Sequence, residues 1–272
     1  MSGRAREDLS AMPGSDLGKA VCIITGASKG FGRSLALQLG GLLQAGSVLV
    51  LAARSGDRLL ELSGELSGEL AGVEVRCVTA DLARREGIEE TVRVAREAAP
   101  KDIDHLLLIN NAGSLGDISR NAVSFTDPSE VDAYLSMNVS SALSLTASVL
   151  GAFPRRPGLR RSVVNISSLC ALQPYRSWVL YCTGKAARHM MFRVLAEEEP
   201  DVRVLNYAPG PLDTDMQTQA RSLTGDAQVR QSFSDMHSKG GLLSCSQSGA
   251  KLAQLLLEDQ YQSGAQIDYY DI

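Results

Sequence analysis

The run Ala20-Val-Cys-Ile-Ile-Thr-Gly-Ala-Ser-Lys-Gly-Phe-Gly32 decides the fold. Its apolar first half reads as a buried strand, and the turn after it sets Gly26, Gly30 and Gly32 before a helix that begins near Phe31. A strand, a glycine-rich turn and a helix N-terminus make a seat for a dinucleotide pyrophosphate. Glycine lets the backbone approach the phosphates, and the first helical turn offers them free N–H groups. Gly26, Ala27, Ser28, Lys29, Gly30, Phe31 and Gly32 are therefore expected to touch a cofactor. The spacing Gly-x-x-x-Gly-x-Gly departs from the usual Gly-x-Gly-x-x-Gly fingerprint, and alone it also suits a turn without a ligand.

Outward from this turn, short apolar runs alternate with helical patterns. Strands are expected near 20–25, 47–52, 73–78, 104–110, 161–167, 202–208 and 264–269. The alternation predicts an α/β chain: a Rossmann-type, doubly wound parallel sheet of about seven strands with helices on both faces. Leu59, Leu62, Leu66 and Leu70 recur at helical intervals, so the near-repeat between Asp57 and Leu70 reads as an amphipathic helix. Two further helices, Ser129–Gly151 and Val179–Glu199, carry wide apolar faces that include Leu143, Leu145, Val149, Leu150, Met190, Met191, Val194 and Leu195. Residues 211–246 contain no clear strand, which fits either a substrate lid or two ordinary surface helices.

Composition narrows the class. A chain of 272 residues, 44% hydrophobic, supports one large domain, taken here as 18–272. Residues 1–17 mix charges without an apolar centre; they fail as a signal peptide and read as a disordered tail. A net charge of −4 with no lysine/arginine block argues against a nucleic-acid partner. No apolar run approaches the ~20 residues of a membrane span, and a soluble, cytoplasmic protein is expected. The five cysteines are odd in number and form no Cys-x-x-Cys pair, so neither a disulfide framework nor a metal site is expected.

The second informative stretch runs from Ser168 to Lys185. A hydroxyl stands thirteen residues before Tyr181, and a lysine four residues after it. If Tyr181 lies in a helix, Lys185 falls on the same face one turn on. A lysine cation beside a phenol favours the phenolate and lowers its pKa, bringing proton exchange toward neutral pH. Ser168, after the apolar run Ser162–Ile166, is placed to hydrogen-bond the oxygen being protonated. At the end of the second strand, Leu51-Ala-Ala-Arg54 has no acid until Asp57. An arginine there, beside Ser55, suits the 2′-phosphate of NADP, with Lys29 as a second cation.

These residues resemble the short-chain dehydrogenase/reductase family over roughly residues 18–215. The glycine turn, Asn110-Asn-Ala-Gly113, Asn138, Ser168, Tyr181, Lys185 and Pro209-Gly210 occur in family order. The resemblance implies a carbonyl reductase in which Ser168, Tyr181, Lys185 and Asn138 are catalytic. It implies that Ala80 and Asp81 meet the adenine, that Asn110, Ala112 and Gly113 lie beneath the cofactor, and that Lys185 also holds the nicotinamide ribose. Leu212, Asp213, Thr214, Asp215, Met216 and Gln217 would wrap the nicotinamide end. It further implies a homodimer through the two apolar helices.

A closer resemblance, to a pterin-reducing branch of the family, rests on three segments: Asn165–Pro174, Asn206–Met216 and Ser263–Asp271. It implies a pterin substrate, NADPH as reductant, and Asp268 as a carboxylate clamp on the pterin's adjacent N–H donors. From sequence alone Asp268 equally suits a surface acid. Leu169, Cys170 and Gly210 would line the same space, and Trp178 either walls it or is simply buried. Two other readings stay open: a broader carbonyl reductase of the same fold, and a non-catalytic NADP-binding sensor.

Overall fold

A computed structural model describes residues 16–271. Its strands are β1 (Ala20–Thr25), β2 (Val48–Ala53), β3 (Glu74–Thr79), β4 (His105–Asn110), β5 (Arg160–Ile166), β6 (Val202–Ala208) and β7 (Gln266–Asp268). They form one sheet in the order β3-β2-β1-β4-β5-β6-β7, every neighbouring pair parallel. Each strand lies within two residues of the expected position. β7 is the shortest because the chain turns into a 3-10 helix at Tyr269.

The helices are α1 (Gly30–Gly40), α2 (Gly56–Glu69), α3 (Arg85–Ala98), α4 (Pro128–Leu135), α5 (Ser141–Ala152), α6 (Val179–Glu198), α7 (Asp215–Leu223), α8 (Ala227–Ser238) and α9 (Cys245–Glu258). Successive strand residues point to opposite faces, and the core divides accordingly. Cys22, Ile24, Leu49 and Leu51 pack with Leu35, Leu39, Leu62 and Leu66 of α1 and α2 and with Leu252 and Leu256 of α9. Val21, Ile23, Val48 and Val50 pack with Ile88 of α3, Leu145 and Val149 of α5, and Phe192 of α6. Covered on both faces, β1, β2 and β4 are buried at every residue, as a parallel sheet between helical layers requires.

Three expectations need correction. The expected tail, residues 1–17, lies mostly outside the described residues, but Leu17 is fully buried and its N–H donates to the Leu42 carbonyl, so the ordered chain starts earlier. The helix expected over 129–151 is two helices joined by a π-turn at Ser136–Ser140. The joined run, Pro128–Ala152, is long and apolar enough by composition to cross a membrane, against the expectation that no such run exists. Here, however, it buries Ala142, Leu145, Val149 and Leu150 in the core between the sheet and α3.

Between 211 and 246 the chain forms α7 and α8, packed as a pair. Backbone hydrogen bonds from Asp213 to Leu243 and from Leu243 to Pro211 tie the two ends of this segment together. The strand order reverses between β1 and β4, the switch point at which the carboxyl ends of the strands of an open α/β sheet form a crevice.

Candidate active site

The crevice is walled first by the glycine turn. Gly26 has φ +65°, a conformation that favours glycine. Gly32 admits no Cβ, which would collide with the Gly26 carbonyl oxygen and the Asn111 amide. Asn111 locks this turn to the end of β4: its Nδ2 donates to the Thr25 carbonyl (2.8 Å), while Thr25 Oγ1 accepts from the N–H groups of Asn111 and Ala112 (3.0 Å each). The α1 N-terminus has no side-chain cap, so its first N–H groups are available to an anion.

Around the turn, Arg54 is exposed after β2 with no ion-pair partner among the described residues, and exposed Ser55 caps α2 without a side-chain hydrogen bond. Ala80 is buried and Asp81 exposed at the end of β3, where the Asp81 side chain accepts from Ala83 N–H. Lys29, the second cation expected there, pairs its ammonium with Asp215 at the start of α7 (2.8 Å), which holds Asp215 below the usual carboxylate range. In the same segment Leu212 and Thr214 are half-buried and Asp213 and Met216 exposed, and the Thr214 methyl would be the nearest group to a Cβ at Gly30 (3.6 Å). Gln217 is buried, and its amide donates to the Phe233 carbonyl of α8 (2.9 Å).

The hydroxyl, phenol and amine predicted from sequence do come together. Tyr181 is the third residue of α6 and 8% exposed. Lys185 Nζ sits over its ring, 5.6 Å from the centroid, and donates to the Ile166 carbonyl (2.6 Å) at the end of β5. Ser168, just past β5, lies close enough to the phenol to favour its ionised form, and its hydroxyl accepts from Cys170 N–H (3.2 Å). Asn138, in the π-turn, accepts from Ser114 N–H (2.7 Å) and donates to the Tyr134 carbonyl (2.9 Å). Its side chain therefore fastens the loop after β4, on which Gly113 is exposed and faces Asn138 Oδ1.

One electrostatic expectation reverses. Lys185 was expected to lower the Tyr181 phenol; instead burial raises it above its ordinary value, with Cys170 adding to the rise. Burial and the neighbouring Arg188 bring Lys185 itself down to about 7, so near neutral pH it carries only part of its charge. A phenol in this setting stays protonated and can act as a proton donor.

On the substrate side, Leu169 is exposed, Cys170 buried, and Gly210 lies against Leu243 and Tyr269. Asp268 ends β7 beside Ala208 of β6, half-buried. One of its oxygens accepts from Tyr270 N–H (3.1 Å), and burial raises its pKa. Trp178 is 3% exposed. It stacks on Phe233 of α8 (4.9 Å, 12°) and meets Tyr181 edge-on (5.5 Å). It therefore packs behind Tyr181 rather than lining an open pocket.

Sequence reasoning missed Asn111, Asn165, Asn206 and Arg188, although Asn110-Asn-Ala and Val-Val-Asn-Ile stand out in the chain. Asn165 Nδ2 donates to Asn206 Oδ1 (2.8 Å), and Arg188 donates to Asn165 Oδ1 (2.8 Å), all fully or almost fully buried. Polar side chains inside apolar strands, and an arginine one turn beyond a functional lysine, were the signals that could have found them.

The family model described as short chain dehydrogenase matches residues 20–224. The chain belongs to the short-chain dehydrogenase family. Among related members, the sepiapterin reductase of Xenopus laevis is 53% identical, over 97% of this chain and all of that protein. That of Rattus norvegicus is 51% identical over 96% and 100%. A solved short-chain dehydrogenase fold, L-sorbose reductase from Gluconobacter frateurii complexed with NADPH and L-sorbose, superposes with a TM-score of 0.73 at 27% identity, covering 93% of this chain and 95% of that one. As a member of this family the chain is an oxidoreductase, and its glycine turn, uncapped helix and free Arg54 fit a nicotinamide dinucleotide.

Proposed function

We propose that the protein reduces side-chain ketones of pterins, such as sepiapterin and 6-pyruvoyl-tetrahydropterin, with NADPH, as a step in tetrahydrobiopterin formation. The observation that carries this reading is the 53% identity to a sepiapterin reductase over nearly the whole chain, joined to the Ser168–Tyr181–Lys185 cluster. Free Arg54 favours NADPH over NADH, because a guanidinium can hold the 2′-phosphate with charge-assisted bonds.

When bound, the cofactor supplies a hydride to the ketone carbon. Tyr181 gives its phenol proton to the ketone oxygen, while Ser168 donates to that oxygen and orients it. Lys185 reaches the nicotinamide ribose and, near its depressed pKa of about 7, returns a proton to Tyr181. Asn138 fixes the loop after β4, and Asn110, Ala112 and Gly113 would hold the nicotinamide end. Ala80 and Asp81 would hold the adenine. Gly26 to Gly32, Ser55 and the segment from Leu212 to Gln217 would hold the phosphates and nicotinamide. Asp268 takes two N–H donors of the pterin, and Leu169, Cys170 and Gly210 line the ring. The α7–α8 segment closes over the substrate.

We place the enzyme in the cytoplasm as a homodimer, without membrane or nucleic-acid partners. Exposed Leu143 on α5 and Met190 and Val194 on α6 favour pairing of these helices across a two-fold axis. A broader carbonyl reductase is the second reading, favoured by exposed Leu169, Leu172 and Met216 at the cleft mouth, which would accept apolar ketones. Steady-state reduction of sepiapterin by NADPH tests the assignment. Turnover that Tyr181→Phe lowers by about 10²–10⁴-fold, with NADPH binding kept, is expected. Turnover of simple ketones but not of sepiapterin would favour the second reading.

A further inference from the structure

Arg188 is the group in this site that the proposed chemistry has not used. It follows Tyr181 by seven residues and Lys185 by three, so all three occupy one face of α6. Its side chain is 2% exposed. Nε donates to Asn165 Oδ1 (2.8 Å), one terminal nitrogen to the carbonyls of Ala112 (2.9 Å) and Asn138 (3.5 Å), and the other to the Asn110 carbonyl (2.5 Å). None of these partners is a carboxylate. A buried charge is ordinarily matched by an opposite one, because desolvation is costly. Here backbone and amide oxygens at the ends of β4, β5 and the π-turn take that place.

We propose that Arg188 is a positioning residue with an electrostatic role: it clamps the strand ends beneath the cofactor, and its permanent charge stabilises the anion left on Tyr181. The proposal rests on the reading of Tyr181 as proton donor. In that step a hydride, which bound NADPH would supply and so become NADP, adds to the ketone carbon, the O–H bond of Tyr181 breaks, and its proton bonds the ketone oxygen. The electron pair stays on the phenol oxygen until a proton returns through Lys185. Tyr181 is too buried for water to stabilise that pair, and Lys185 is only partly charged near pH 7. The guanidinium, brought down by burial only to about 10, remains charged throughout.

The titratable groups facing this pair are Tyr134 of α4, Cys170 of the turn after Ser168, and Lys185 of α6; Cys182 of α6 adjoins Cys170. Among them only Lys185 and Arg188 bear positive charge. Burial raises Tyr134, and contact with Cys182 followed by burial raises Cys170, so both stay neutral.

Arg188→Gln and Arg188→Lys test the proposal through three measurements: the pH profile of sepiapterin reduction at saturating NADPH, the NADPH Kd by fluorescence titration, and thermal unfolding. Arg188→Gln is expected to lose at least tenfold in kcat, and its alkaline limb to move upward by about one pH unit or more, the size expected when a neighbouring cation is removed. Its NADPH Kd is expected to rise several-fold as the loop under the cofactor loosens. Arg188→Lys keeps a charge without the forked donors, so it should restore much of the kcat and limb while remaining less heat-stable than the parent. A folded Arg188→Gln with the parent's limb and kcat would overturn the proposal. So would an Arg188→Lys variant as impaired as Arg188→Gln in kcat and limb. A parent protein inactive on sepiapterin and on simple diketones would instead contradict the proton-donor reading beneath it.

Discussion

At the scale of single residues, burial sets the charge of the site. Lys185 is depressed to about 7 because its ammonium is desolvated beside Arg188. In the unfolded chain a lysine holds its proton to about 10.4, so between those values the unfolded state binds more protons and stability rises with pH. The difference in unfolding free energy between the parent and Lys185→Met should therefore shift in the parent's favour from pH 7 to 9, by at most about 1.4 kcal/mol per pH unit. Urea titrations of both proteins across that range check this; a difference that stays flat would show Lys185 to be ordinarily solvated. Arg54 makes a separate prediction. Arg54→Glu should reduce the preference for NADPH over NADH by about 10–100-fold, the worth of one or two charge-assisted hydrogen bonds. An unchanged ratio of kcat/KM for the two cofactors would remove Arg54 from cofactor choice.

At the scale of elements, the strands and α6 were legible because their periodicity is strong and a parallel sheet buries both faces of its central strands. The Tyr181–Lys185 pairing followed from helical spacing alone, and the Gly26–Gly32 turn from its glycines. The π-turn at Ser136–Ser140 was not legible. One inserted residue leaves the apolar pattern of Pro128–Ala152 almost undisturbed, while turning Asn138 inward to fasten Ser114. Arg188 escaped notice because its partners are mainly backbone carbonyls, which no side-chain motif records. The reversal at Tyr181 had the same origin: spacing shows that a lysine is near, but not how far both groups leave water. Between 211 and 246 the sequence allowed either a lid or two surface helices; the structure shows the two helices, α7 and α8. They are held at the start of α6 by Phe233 on Trp178 and the Trp178 Nε1–Thr224 Oγ1 hydrogen bond (3.0 Å). Phe233→Ala should therefore speed amide exchange in α7 and α8 while the sheet keeps its protection. Equal acceleration throughout the sheet would mean that these helices open only with the whole domain.

For the whole molecule, two surfaces remain to be matched to function. Leu143, Met190 and Val194 leave an apolar face on α5 and α6, and sedimentation should show the Leu143→Glu/Met190→Glu double variant as a monomer where the parent is a dimer. A parent already monomeric at micromolar concentration would exclude the proposed pairing. The other surface is the cleft at the switch between β1 and β4, where the sheet topology brings the glycine turn, Tyr181 and the β7 terminus to one end of the strands. The central claim is that this cleft reduces a pterin, and Asp268 distinguishes a pterin from other ketones. The most direct measurement is kcat/KM for sepiapterin and for a simple diketone, with NADPH, in the parent and in Asp268→Ala. The account predicts that Asp268→Ala loses sepiapterin reduction by about 10²-fold or more, as a site loses when its paired hydrogen bonds are removed, while diketone reduction stays within a few-fold. Equal loss on both substrates, or none on either, would contradict it.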